Sequence, residues 1–349
     1  MVVASLVVCC SASAAIPVRC EPGAPVPTAA PTPATPLAQL EGLIENVPCA
    51  ATGAVSYGTT DNLREQLGVL DPIPDPGGGY LGVYQSPFQL DGHETFRVSL
   101  GYSTDLIHWK RIRVLIGRNA SMPTVRQIAG ASGYLLAYEE TLAHGGGDVA
   151  VLRYYPTASA LESGQYTAQT QLPRRFSPYN DGTPTIAAVS WRGSPSRSQI
   201  LLGFHYESDP DGRRGPDREA FGWVFNFRRW GAWRDSGIDS ELDRLGLVGN
   251  HGDWREFTFA GVQWRIYEAQ QRFDSFATWH LLLWNAGTGL MSPLTLATGT
   301  RSRITSVGNP VVNIEPAPAG GGQVLVITAF VFDASQSADD GELVYYVPL

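Results

Sequence analysis

Short apolar runs, rich in β-branched and aromatic residues and separated by turns containing Gly, Pro or Asp, recur from residue 67 to the end of the chain. The clearest stretch holds three of them, Tyr80 to Tyr84, Phe96 to Tyr102 and Arg111 to Ile116, with Phe96, Val98 and Leu100 alternating with other residues. Alternation of period two in runs this short predicts strands and not helices. With Leu67 to Leu70 as an innermost strand, followed by a turn over Asp71 to Gly79, four antiparallel strands make one sheet, the unit of a propeller blade.

The same order returns along the chain. A second unit opens at Met122-Pro123, with strands over Thr124 to Ile128, Gly133 to Glu140 and Asp148 to Tyr155. A third opens at Asp181-Gly-Thr-Pro184 and continues through Thr185 to Trp191, Gln199 to Tyr206 and Phe221 to Phe227. The fourth runs Glu256 to Phe259, Trp264 to Glu268 and Trp279 to Trp284, and the fifth Val311 to Ile314, Val324 to Phe332 and Leu343 to Val347. Units of roughly 50 to 60 residues lie in the range of propeller repeats. The chain is therefore expected to be all-β, a five-bladed β-propeller of four-stranded antiparallel blades in which the first or last strand completes a shared blade.

Between the third and fourth strands of the first unit stands Ser103-Thr-Asp-Leu-Ile-His-Trp109. Asp105 is suited to cap a turn, and Leu106 and Trp109 to pack between blades. This heptapeptide resembles the S-x-D-L-x-x-W blade turn of glycoside hydrolase family 43, the five-bladed furanosidase and arabinanase propellers. The resemblance spans the propeller region and implies a glycan substrate. It implies a general base, an Asp at the start of blade one's inner strand, for which Asp61 stands first and Asp71 second. It implies a blade-two Asp, where Met122 stands, and an acidic Glu opening blade three, where Asp181 stands. A structural divalent cation in the central channel is the cofactor it allows, with His93, His205 or His251 as donors; no cofactor is required for the reaction.

Composition narrows the class. With 38 Gly, 25 Pro, 14 Tyr, 13 Phe and 9 Trp, the chain suits many short strands with punctuated turns. The net charge of −8 and the lack of a long basic run exclude a general attraction to nucleic acid. Met1 to Ala15 reads as a signal peptide without a basic start, too short to span a bilayer. A lipoprotein signal at Cys9 or Cys10 is weakened by Val8. Residues 16–47 form a Pro, Ala and Thr-rich linker ending in a helical turn with Leu40, Leu43 and Ile44 on one face, and 48–349 the propeller. Cys20 and Cys49 form one disulfide or stay as two thiols. These features predict a monomer that is secreted, periplasmic or held at the cell surface, with no transmembrane segment.

Four-stranded blades put the start of each inner strand and the loop between strands two and three on one face. Sorting the sequence that way gathers acids, imidazoles and guanidinium groups at one mouth of the channel. Hydrolysis of a glycosidic bond needs two carboxyl groups, one protonated and one ionised. The candidates are Asp181 with Glu256, Glu140 or Glu268, and Asp61. Substrate contacts are expected from Asp91, His93, Glu94 and Arg97 in one dense loop, and from His205, Glu268, Asn309 and Trp254, whose indole would stack on a sugar. The partner is an oligo- or polysaccharide. A propeller that binds carbohydrate or another surface without cleaving it is the alternative reading.

Overall fold

The computed structural model describes residues 35–47, 54–143, 146–209, 212–296, 306–318, 320–332 and 341–349. The signal peptide, most of the linker, Cys20 and Cys49 lie outside the described residues. No helix among the described residues is long and apolar enough to cross a membrane.

Five blades follow one another around a ring. Blade I holds β2 (Gly68–Pro74), β3 (Tyr80–Leu90), β4 (His93–Ser103) and β5 (Lys110–Ile116). Blade II holds β6 (Ala120–Gln127), β7 (Tyr134–Thr141), β8 (Asp148–Tyr155) and β9 (Ala168–Gln171), and blade III β10 (Asn180–Ser190), β11 (Gln199–Glu207), β12 (Asp217–Phe225) and β13 (Arg229–Arg234). Blade IV is β14 (His251–Phe259), β15 (Val262–Gln270), β16 (Trp279–Asn285) and β17 (Leu290–Leu294). Blade V takes β18 (Val307–Pro316), β19 (Gln323–Val331) and β20 (Gly341–Pro348) from the end of the chain and β1 (Val55–Ser56) from near its start, so the ring closes as expected. Blades II and III are also stitched directly, because β8 and β10 pair in parallel at Asp148↔Asn180 and Val149↔Asp181.

Each seam between blades has its own apolar cluster. Leu81, Val83 and Leu100 meet Leu136 and Tyr138 between blades I and II, and Leu135 and Leu152 meet Ile200 and Leu202 between II and III. Phe221 meets Trp254 and Tyr267 between III and IV, together with the helix Ser236–Arg244. Trp264 and Ile266 meet Val312 and Ile327 between IV and V, and Val324 and Val344 meet Tyr84 and Trp109 between V and I. The helix Pro36–Glu45 seats Leu40, Leu43 and Ile44 on the IV–V seam; the linker's helical turn is longer than expected and plugs the ring's side. The Ser103–Trp109 segment is structural as read: Asp105 Oδ1 accepts from the N–H of Ile107 and His108 at 3.0 and 2.8 Å, and Trp109 is buried against Gly82.

Two local expectations need correction. The inner strand of blade I runs on through Asp71 to Pro74, where a turn was expected, because Asp71 and Ile73 are buried and leave no reason to turn early. Residues 91–97 are not a loop. Asp91 and Gly92, at φ 52° and 79°, make a two-residue turn, and the ladder resumes at once with Leu90↔His93.

Candidate active site

Each inner strand carries a bulge near its start, seen as register shifts at Gly68/Asp71, Ser121/Thr124, Gly182/Thr185, Gly252/Arg255 and Gly308/Val311. Val69, Met122, Thr183 and Asn309 take positive φ there, and at the last three this aims the backbone N–H sideways toward the preceding blade. Second-strand side chains meet them. Met122 N–H donates to Gln85 Oε1 at 2.7 Å, Thr183 N–H to Glu139 Oε2 at 2.8 Å, and Asn309 N–H to Glu268 Oε2 at 2.5 Å. At the V–I seam Glu342, from the third strand of blade V, accepts from Leu70 N–H at 3.2 Å. Glycine opens the space: a Cβ on Gly182 would stand 2.0 Å from Glu139 Oε2, and one on Gly308 2.2 Å from Glu268 Oε2. Carboxylates at the mouth are thus partly used as latches between blades.

The channel itself is closed by Arg255. Its guanidinium donates to Thr185 Oγ1 of blade III at 2.7 Å and to the Pro123 carbonyl of blade II at 3.2 Å, and its Nε lies 3.4 Å from Asp71 Oδ2 of blade I. Asn313 of blade V donates to the other Asp71 oxygen at 3.0 Å. One side chain reaching that many inner strands must sit in the channel.

Above this plug lies a cavity of about 630 Å³. Its polar lining includes Glu94, Asp148, Asn180, His205, Glu207 and Asp217. Asn180 holds the centre of the blade II–III side: its Oδ1 accepts from Asp148 N–H at 2.9 Å and its Nδ2 donates to Glu207 Oε1 at 2.8 Å. Arg214 pairs with that same Glu207 oxygen. Asp148 Oδ1 and Glu207 Oε2 are buried and have no hydrogen-bond partner among the described residues. Burial pushes the Asp148 carboxyl above its ordinary range, the Thr141 hydroxyl opposing this and the Glu207 charge adding to it. Burial likewise pushes Asp217 up to about 7. On the blade IV–V side the lining is aromatic, with Phe276 61% exposed and Phe332 5.6 Å from it and 4.7 Å from Phe330 between ring centres.

The expected residues divide. Glu94, His205, Glu268 and Asn309 line the cavity. Asp91 and His93 stand exposed at the tip of the β3–β4 hairpin. Arg97 pairs with Glu65 and lies 5.0 Å from the centre of the Phe88 ring. Asp61 is buried under the V–I seam, accepting from Tyr84 Oη at 2.9 Å and from Leu63 N–H at 2.7 Å. Glu256 pairs with Arg265 at 2.9 Å, and Glu140 accepts from Gln171 at 3.3 Å; neither lines the cavity, whereas Glu139, one residue from Glu140 and on the opposite face, does. Asp181 turns away from the mouth, its oxygens taken by the N–H groups of Arg175, Phe176 and Ser177. Trp254 is fully buried, donating to Glu219 at 3.1 Å, and offers no face to a sugar. Asp148, Asn180 and Asp217 went unnoticed as mouth residues because each looks like an ordinary strand-end polar residue.

No protein-family model matches the chain, and no curated protein matches it in sequence. Solved structures do match in shape. A glycoside hydrolase superposes with a TM-score of 0.56 at 8% identity, over 90% of this chain and 95% of that one. A thermostable family-43 glycoside hydrolase gives 0.52 at 10% identity, over 84% and 93%. The chain has the family-43 propeller fold. An N-acetylgalactosamine deacetylase from F. plautii, in complex with blood group B trisaccharide, gives 0.50 at 13% identity, over 83% and 90%. Of the acidic positions that the family-43 resemblance implies, Asp61 and Asp181 are held by local hydrogen bonds, Asp71 by the channel plug, and Met122 carries no charge. Where Arg255 reaches Asp71, the guanidinium already balances that carboxylate.

Proposed function

We propose that the chain is an exported, monomeric glycan-active propeller that hydrolyses a glycosidic bond at the channel mouth, with Asp148 as the proton donor and Glu207 as the ionised partner. The observation that carries this reading is the pair of buried carboxyl oxygens, Asp148 Oδ1 and Glu207 Oε2, that line the cavity without hydrogen-bond partners. Their environments differ in the way that acid and base roles need. Asp148 is raised by burial, whereas Glu207 is fixed by Arg214 and Asn180. Phe276 supplies an exposed ring face for a sugar, backed by the half-buried Phe332, in place of the buried Trp254. That similar structures include glycoside hydrolases supports the substrate class.

Asp148→Asn and Glu207→Gln, assayed on furanoside and pyranoside oligosaccharides, should each lower kcat by roughly 10²-fold or more while binding persists. Unchanged turnover in both would remove this pair from the mechanism. A second reading, binding without cleavage, is favoured by the engagement of Asp61, Asp71 and Asp181 in structural contacts. Saturable binding of an oligosaccharide with no product, unaltered by either substitution, would establish it.

A further inference from the structure

On the blade III–IV side of the mouth, His205 of β11, Glu219 of β12 and His251 at the start of β14 converge, and their donor atoms all lie within 4.8 Å of one another. They are buried, at 3%, 0% and 2% exposure. His205 and Glu219 face each other across the β11–β12 ladder, with His205 Nε2 3.0 Å from Glu219 Oε2, and the two imidazoles meet edge to face at 4.8 Å between centres. The remaining Glu219 oxygen accepts from Trp254 Nε1 at 3.1 Å. Asp239, from the helix behind, accepts from Glu219 N–H at 3.0 Å and places Oδ1 3.5 Å from His251 Nε2. Neither ring nitrogen of His251 makes a well-formed hydrogen bond among the described residues. A buried imidazole left so is costly unless something else takes its lone pair.

We propose that His205, Glu219 and His251 form a binding site for a divalent transition-metal ion of the zinc class, open on its fourth side to the mouth cavity. Two imidazoles and one carboxylate are the donor set of open, three-ligand zinc sites, and they disfavour the all-oxygen ions calcium and magnesium. Donors about 3.4 Å apart bound a four-coordinate ion at zinc distances, so atoms already within 4.8 Å need only small side-chain rotations. His205 and His251 both line the cavity, which gives the ion an entry path and leaves the open position facing bound substrate. Asp239 stands where an outer carboxylate orients a metal-ligating imidazole. The site is off the axis that Arg255 fills, and it does not depend on Asp148 or Glu207.

The test uses the full chain stripped with a chelator and titrated with Zn²⁺ and Co²⁺, alongside Glu219→Gln, which keeps an acceptor for Trp254, and His251→Ala. Wild type should retain one Zn²⁺ per chain after dialysis, give a visible Co²⁺ spectrum of low coordination number, and gain roughly 3–8 °C in Tm at hundredfold excess over Kd. Both variants, checked for folding by circular dichroism, should bind at least roughly 10²-fold more weakly, and Asp148→Asn should bind as wild type does. His251→Asn replaces any variant that does not fold. No retained ion, or Zn²⁺ and Co²⁺ binding that all these substitutions leave unchanged, overturns the site. In that case His205 and Glu219 form only an ion pair.

Discussion

Arg255 shows how much one buried charge can organise. It is 7% exposed and its partner Asp71 2%. Removing the guanidinium strands a carboxylate in the channel, so Arg255→Met should cost about 3–5 kcal/mol in urea unfolding, and adding Asp71→Asn should restore part of that loss. Equal stability of Arg255→Met and wild type would show that the plug carries no weight. Beside it, Glu315 is pushed up to about 8 by burial, with the Asp71 charge adding to the shift. A carboxyl whose pKa is higher in the fold than in the unfolded chain holds an extra proton when folded, so stability falls as pH rises from about 4.5 to 8. Glu315→Gln should flatten that slope and raise stability by about 1–3 kcal/mol at pH 9, read from Tm against pH. Parallel curves for the two proteins would refute it. The sequence marks residues 253–256 as a charged cluster at the rim, yet Arg255 and Trp254 point inward and Glu256 toward Arg265. Which way each residue faces depends on the bulge at Gly252/Arg255, and a bulge shifts the alternation of faces without changing a letter.

Among elements, the repeated bulge and its latch give the next prediction. Glu268→Ala should cost about 1–3 kcal/mol by leaving Asn309 N–H unsatisfied, and Glu268→Gln less, because an amide oxygen still accepts. Identical losses would mean that the latch acts by packing and not by hydrogen bonding. Inner and middle strands were legible because their apolar alternation is strong. The outermost strands β9, β13 and β17 were not: Ala168–Gln171 reads AQTQ, and an edge strand has one paired side and little apolar surface to reveal it. The hairpin at Asp91-Gly92 was readable in principle, since Asp-Gly between alternating runs is a strong two-residue turn signal. Its density of charged residues drew it instead toward a binding loop.

For the whole molecule, the ring and its closure followed from the repeat, because an open propeller leaves an unpaired edge. A chain beginning at Gly58 lacks β1 and the helix Pro36–Glu45, baring the β20 edge and the apolar seam under Leu40 and Ile44. Such a chain should lose at least roughly 10 °C in Tm and aggregate on concentration. A monodisperse product with unchanged Tm would show that the N-terminal segment only decorates the ring. The candidate pair, Asp148 and Glu207, was hidden for a related reason: it comes together only where two repeats meet, and no single repeat displays it.

The parallel ladder between β8 and β10 has a bearing on how the mouth behaves. Strand-to-strand pairing here makes two blades a single continuous sheet. Asp148 belongs to that ladder, opposite Asn180, and Glu207 is fastened to the same asparagine. Both carboxyl groups of the proposed pair are thereby tied to one continuous sheet through Asn180. Amide exchange across residues 148–149 and 180–181 should be among the slowest in the protein, with opening confined to the aromatic side of the mouth.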